Sequence, residues 1–207
     1  SSDLKIENLG AIAPGFAADM LIVESLEELK PSHVFFNGTL VAENGKLLAE
    51  IRDESYAIEH RNSMHVKELM AEDFRIQAPV KNGTVKVNLM EYKDLLLSST
   101  LVSCEELPVE NGYLKLQDPD LKFVAVVNRH KGHDTVALGV VRGFGTTTGA
   151  LASTVSHDSH NLTIVFDDAE HALLAAKELI ACGGGMCAVK DGKILHTLQL
   201  PLAGLIS

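Results

Sequence analysis

Cysteine is scarce: Cys104, Cys182 and Cys187 are an odd number and make no disulfide framework. That points to a reducing, cytoplasmic setting. Four residues separate Cys182 from Cys187, where a zinc ribbon needs two. Positive charge is also short. Lys and Arg number 18 against 28 Asp and Glu, a net charge of -10 with pI near 5.3. Such a chain has nothing to offset phosphate repulsion, so no nucleic-acid partner is expected. No apolar run approaches membrane-spanning length, and Ser-Ser-Asp-Leu-Lys at the start has no signal-peptide pattern. No membrane partner is expected either.

The common catalytic signatures are missing. There is no His-x-His pair, no His-Glu-x-x-His, and no Pro-Cys-x-x-Cys with His-x-Glu. There is no Gly-x-Ser-x-Gly elbow and no phosphate loop. Gly143, Gly145 and Gly149 have the wrong spacing for a dinucleotide fingerprint. There is no internal repeat and no low-complexity segment. Much polar clustering without one complete motif suggests part of a larger site.

What is present is an ordinary globular composition, 46% hydrophobic and 22% charged, over 207 residues. That length allows one large or two small domains. Residues 1–51 read as a meander: strands at Met20–Val23 and Val34–Phe36, a turn at Asn37-Gly38, a return at Thr39–Ala42, and Asn44-Gly45 leading into Lys46–Ile51. This is too small to hold a core by itself. Residues 52–78 crowd charges around Val66, Leu69, Met70 and Phe74, whose spacing predicts a connecting helix near 64–74. His60 and His65 read as solvated.

From Val80 the pattern is strand-rich: Thr84–Met90, Leu95–Glu106, Tyr113–Leu116, Lys122–Asn128, Thr135–Val141 and Leu162–Phe166. Phe123–Val127 is a continuous apolar run suited to burial on both faces. A helix is predicted over 168–182, with Asp167 as N-cap, Glu170 three residues on, and Gly183 to Gly185 as its stop. His171 in its first turn reads as exposed. A hairpin follows, Met186–Val189 and Lys193–Leu200 across Asp191-Gly192. The fold class is therefore α/β in the broad sense, a mixed α+β arrangement. A small β-sandwich remnant (1–58) is followed by a helical linker (59–78) and a mixed-sheet domain with a packed helix (79–207).

The chemistry concentrates in two loops of the same form, His130-Lys-Gly-His133-Asp134 and His157-Asp158-Ser-His160, each flanking an apolar strand. Strands of one sheet often end on one edge, so these loops can converge. Their imidazoles and carboxylates are metal-ligand types. Neither lies on a predicted helix, where three-residue spacing would align both ligands, so no metal is expected to be held by this chain alone. Ser156 to Asn161 is a run of six polar residues directly before the apolar Leu162–Phe166. Polar groups in such a place need partners or a use.

Two resemblances follow from particular stretches. Gly10 to Leu21, G-A-I-A-P-G-F-A-A-D-M-L, resembles the post-barrel sandwich segment of amidohydrolase-superfamily enzymes. More sharply, Arg129-His130, Gly139 to Gly145, Gly149 to Asn161, Gly183 to Gly185 and Leu200 to Leu205 resemble, in order and spacing, the C-terminal region of microbial adenine deaminases. The resemblance implies hydrolysis of adenine to hypoxanthine and ammonia by a metal-activated water, with manganese or iron as the divalent metal. The family's ligands lie on a catalytic barrel, which takes about 250 residues and is not found in this chain. The implied partners are that barrel, adenine, and further copies in a homo-oligomer; the chain alone is expected to be inactive.

Within this frame the candidate catalytic residues are His157, Asp158 and His160. The candidate substrate-binding residues are Ser156, Asn161, Arg129 and His130. Two other readings stay open: a non-catalytic structural or oligomerisation module, and a stand-alone metal-dependent hydrolase using His130/His133 and His157/His160.

Overall fold

The structure is a computed structural model that describes residues 7–50, 63–92, 100–130, 135–145 and 148–206. It divides into two compact units, residues 1–55 and 56–207.

The first unit is a single antiparallel sheet of β1 (Met20–Val23), β2 (Pro31–Phe36), β3 (Thr39–Glu43) and β4 (Lys46–Leu47), in that spatial order. Asn37 and Gly38 both take positive φ, 46° and 78°, the tight hairpin turn that their sequence favours. The Asn37 amide donates to Asp19 Oδ1 at 2.7 Å. None of its described residues is fully buried, so it is a thin sheet without a core of its own. Its last strand ends at Leu47; Ile51 lies outside the described residues.

The second unit is one nine-stranded mixed sheet with one packed helix. Its strands are β5 (Gly83–Tyr92), β6 (Thr100–Glu110), β7 (Tyr113–Leu114), β8 (Leu121–Val127), β9 (Val136–Arg142), β10 (Ala150–Ser153), β11 (Leu162–Phe166), β12 (Gly185–Lys190) and β13 (Lys193–Gln199). The spatial order is β13-β12-β10-β11-β8-β9-β5-β6-β7. Among the described residues only the β5–β9 pairing is parallel. The helix, α1 (Ala169–Cys182), lays Ala172, Ala175, Ala176 and Leu179 on the β8–β12 part of the sheet, all at 0% exposure. Small residues there let the helix approach closely. Phe166 packs against Phe74 and Phe123, with ring centroids 5.9 and 5.6 Å away. A second cluster under β5, β6 and β9 buries Leu89, Leu107, Val109, Leu114, Leu121 and Val140.

Several expectations need correction. The predicted helix over 64–74 is absent: residues 63–70 carry no helix, and only Ala71–Phe74 makes a 3-10 turn. Met64, Leu69 and Phe74 are all buried, at intervals of five, which a 3.6-residue period does not satisfy and an irregular segment does. The main chain there bonds elsewhere, His65 N donating to Arg129 O at 2.9 Å. The helix N-cap is Asp168, not Asp167; its carboxylate accepts from Glu170 N. β8 is not covered on both faces. Ala125 and Val127 are buried toward the helix, whereas Val124 and Val126 are half-buried on the other side. His60, and the Leu95–Ser99 part of the second predicted strand, lie outside the described residues.

His171 is a further correction, since it is largely buried. Its Nδ1 donates to Asp167 Oδ1 at 2.8 Å, and its Nε2 accepts from Gly192 N at 3.1 Å. Asp167 Oδ2 accepts from Gly149 N at 2.7 Å. One carboxylate thus ties the start of β10, the first helical turn and the β12–β13 turn. Burial pushes the Asp167 carboxyl up, but the His171 and Gly149 donors outweigh it and hold it below its ordinary value. A carboxyl lowered in the folded state stabilises above its unfolded pKa, about 4, and the contribution fades as pH falls through the lower folded value. Asp167→Asn should therefore cost about 1 kcal/mol at neutral pH, roughly 2–4 °C in melting temperature. The gap from wild type should close below about pH 4. Thermal melts across pH 2.5–7 check this, and a gap independent of pH contradicts it.

Candidate functional site

The β10–β11 and β8–β9 connections leave the same sheet edge, because β8 and β11 are antiparallel neighbours, with Leu162 opposite Val127. The convergence is real at one point: His130 Nε2 lies 3.0 Å from Ser159 O. His133 and Asp134 lie outside the described residues. Among the described residues no three His, Cys, Asp or Glu side chains cluster as a metal site.

The 156–161 loop is shaped from within. His160 N donates to Ser156 O at 2.7 Å, closing a tight turn. Asp158 and His160 take positive φ, 69° and 49°, uncommon for residues with a side chain. Thr163 Oγ1 donates to Ser156 Oγ at 2.8 Å, fixing the loop's start to β11. His157 Nδ1 and Asp158 Oδ1 are 2.8 Å apart, yet these side chains are 93% and 92% exposed, so they pair in open solvent. The His157 and His160 rings are 6.4 Å apart. His160 Nδ1 and Asn161 Oδ1 are both shielded from solvent without a hydrogen-bond partner among the described residues. Such orphaned polar atoms cost about 1–3 kcal/mol each.

Arg129 sits differently from the other candidates. It is 1% exposed. Its Nε donates to His160 O at 2.5 Å. One terminal nitrogen donates to Ser63 Oγ at 2.5 Å and Ser63 O at 3.3 Å, the other to Ala203 O at 2.9 Å. No carboxylate pairs with it among the described residues, and burial lowers its pKa from the ordinary arginine value. The guanidinium is a cross-link between three chain segments, and its donors are spent inside the protein.

Beside it lies a second buried node. Thr154 is 0% exposed; its hydroxyl donates to Gly204 O at 2.6 Å and accepts from Gly185 N at 2.7 Å. Gly204 has φ of 71°, and a Cβ there would meet Arg129 at 3.0 Å. Sequence patterning missed Thr154, Ser63 and Ala203 because each acts through a backbone group or a single hydroxyl. The signal available was that Arg129, Thr154, Ala203 and Gly204 all fall in the stretches that carry the family resemblance.

On the sheet face opposite the helix lies a groove of about 490 Å³, bordered by Met90, Val124, Phe144, Leu151, Met186 and Leu198. It reaches Ser156, the first residue of the loop.

Comparison with known proteins places this geometry. The adenine deaminase C-terminal domain family matches residues 99–207. An adenine deaminase of Moorella thermoacetica is 44% identical over 204 residues, covering 97% of this chain and 34% of the relative. Adenine deaminase 2 of Carboxydothermus hydrogenoformans is 41% identical, covering 98% and 35%. An adenine deaminase of Clostridium botulinum is 39% identical, covering 96% and 33%. The chain thus spans about a third of the length of these relatives, and their larger remainder has no counterpart in it. The resemblance of the Arg129-His130, Gly149–Asn161 and Leu200–Leu205 stretches is borne out, and the chain belongs to the adenine deaminase C-terminal domain family.

Proposed function

We propose that this chain acts as the C-terminal part of an enzyme hydrolysing adenine to hypoxanthine and ammonia. A metal-dependent amidohydrolase barrel outside this chain carries the metal, manganese or iron, which supplies an activated water when bound. The described residues here offer no ligand set for that ion. This chain's contribution is the 156–161 loop, which we place at the substrate end of the barrel in a cytoplasmic enzyme. No helix of the described residues is long and apolar enough to cross a membrane.

The observation that carries the loop's role is the pair of orphaned polar atoms, His160 Nδ1 and Asn161 Oδ1. Adenine presents ring nitrogens that accept and an exocyclic amine that donates. An amide oxygen and an imidazole nitrogen answer both. Asp158 lies beside His157 Nδ1 and favours a proton on that nitrogen. Arg129 is assigned a positioning role rather than substrate contact, since it grips the loop only at His160 O. Ser156 and His130 likewise brace the loop, through Thr163 and Ser159.

A brace without catalytic part is the second reading, favoured by the solvent-facing, self-paired His157 and Asp158. The two differ in the His157→Ala and His160→Ala variants of the full-length enzyme. A site role lowers kcat/KM by roughly tenfold or more with the melting temperature little changed. Normal kinetics in both folded variants, or a lowered melting temperature with full activity in the folded fraction, removes the loop from the active site.

A further inference from the structure

Among the described residues of the 56–207 unit, the helix covers one side of part of the sheet. Strand register shows what the other side carries. One row across the sheet runs Leu198, Met186, Ser153, Thr163, Val126 and Ala137; the next runs His196, Ala188, Leu151, Val165, Val124 and Gly139. Met90 and Val141 extend the apolar surface beyond them. Leu151, Met186 and Leu198 are exposed. In a chain of net charge -10, the groove on this face is lined by no Asp, Glu, Lys or Arg. Depletion of charge at the centre of an apolar patch is the mark of a contact surface. A sheet with an apolar face normally buries it under a second layer.

The size of the face separates the possible occupants. Six strands at about 4.8 Å spacing and roughly 17 Å along each give a footprint of about 500 Å². Two independent molecules form a stable complex with about 800 Å² per partner. A second copy pressed on this face therefore makes only a weak contact. A segment of the same polypeptide needs far less, because tethering supplies a millimolar effective concentration. Contacts between domains of one chain run from about 600 Å² in total, which twice this footprint exceeds. The relatives carry about two thirds of their length outside the part matched here.

We propose that this charge-free groove is the seat of the preceding part of the full-length enzyme, which packs apolar side chains into it beside Ser156. The proposal rests on the function given above and adds the surface through which the two parts meet. The groove's end at the 156–161 loop then makes the docked part and the loop neighbours.

Methionine oxidation by peroxide, read by mass spectrometry, tests it. Met186 lies on the face, and Met70, 64% exposed, lies away from it as an internal reference. In the 207-residue chain, Met186 and Met70 should oxidise at rates within a few fold of each other. In the full-length enzyme Met186 should slow by tenfold or more relative to Met70. Equal relative rates in both proteins overturn the proposal, as does protection of Met186 already in the short chain at micromolar concentration, which assigns the face to a second copy. Leu151→Arg in the full-length enzyme should restore Met186 oxidation toward the short-chain rate; unchanged protection in that folded variant also counts against it. Adenine turnover, measured on the same full-length sample, separates the two ideas. Turnover with an unprotected Met186 sinks the docking surface alone. Protection without turnover sinks the functional reading alone.

Discussion

Arg129→Ala should lower the unfolding free energy of the 56–207 unit by about 3–5 kcal/mol, a large fraction of the about 5–15 kcal/mol that an ordinary domain has. The magnitude follows from what the guanidinium satisfies. Three partly buried carbonyls, those of Ser63, His160 and Ala203, and the Ser63 hydroxyl take hydrogen bonds from it. Alanine leaves each acceptor without a donor, at about 1 kcal/mol or more apiece, and opens a cavity besides. The opposing term is relief of a buried charge held by dipoles alone. It does not balance the loss, because the vacated acceptors stay partly shielded from water and the side chain's packing is lost as well. Arg129→Lys should recover only part, since an ammonium cannot span the same three directions as the planar fork. Gly204→Ala should be destabilising for two reasons: its φ is positive and its new Cβ would press on the guanidinium. Urea unfolding of the three variants measures the order. A loss below about 1 kcal/mol for Arg129→Ala would show that the cross-link contributes little.

The second large effect concerns catalysis. The 207-residue chain, purified alone and supplied with manganese or iron, should convert no adenine above the buffer rate. Enzymatic acceleration is commonly 10⁶-fold or more, and most of it needs the activated water in place. The chain spans about a third of its relatives, and its described residues cluster no three metal-ligand side chains. The loop side chains can orient a purine, but orientation without a nucleophile leaves the carbon–nitrogen bond intact. Ultraviolet absorbance, which differs between adenine and hypoxanthine, reads the result at high protein concentration. Turnover that co-purifies with the chain and is lost in a His157→Ala, His160→Ala double variant would restore the stand-alone hydrolase reading.

Much of the second unit was legible residue by residue. Leu162–Phe166 could be read as a strand because four apolar residues and a β-branched threonine sit between polar boundaries, and it is one. The helix was legible because its alanines and leucines keep a 3.6-residue period and a glycine in the left-handed region stops it. The hairpin turns at Asn37-Gly38 and Asp191-Gly192 were written in residues that tolerate positive φ. All of these are local rules, satisfied within a few positions of chain. Family membership was equally local, carried by ordered stretches rather than by any contact.

Tertiary structure decided the rest, and it decided by competition. Val66, Leu69, Met70 and Phe74 suit a helix in isolation, yet residues 63–70 stay irregular, with Met64, Leu69 and Phe74 buried in the core and Met70 exposed. Asp167 looks like a helix cap, yet Asp168 caps, because Gly149 and His171 claim the other carboxylate. Arg129 reads as a group offered to substrate, and only the fold shows Ser63 and Ala203 brought to it from 66 and 74 residues away. The two faces of β8 are indistinguishable in Phe-Val-Ala-Val-Val. Which one meets the helix and which stays open depends on register with neighbours far along the chain. A side chain's period can be read from its own strand, but its partner is set by the rest of the fold.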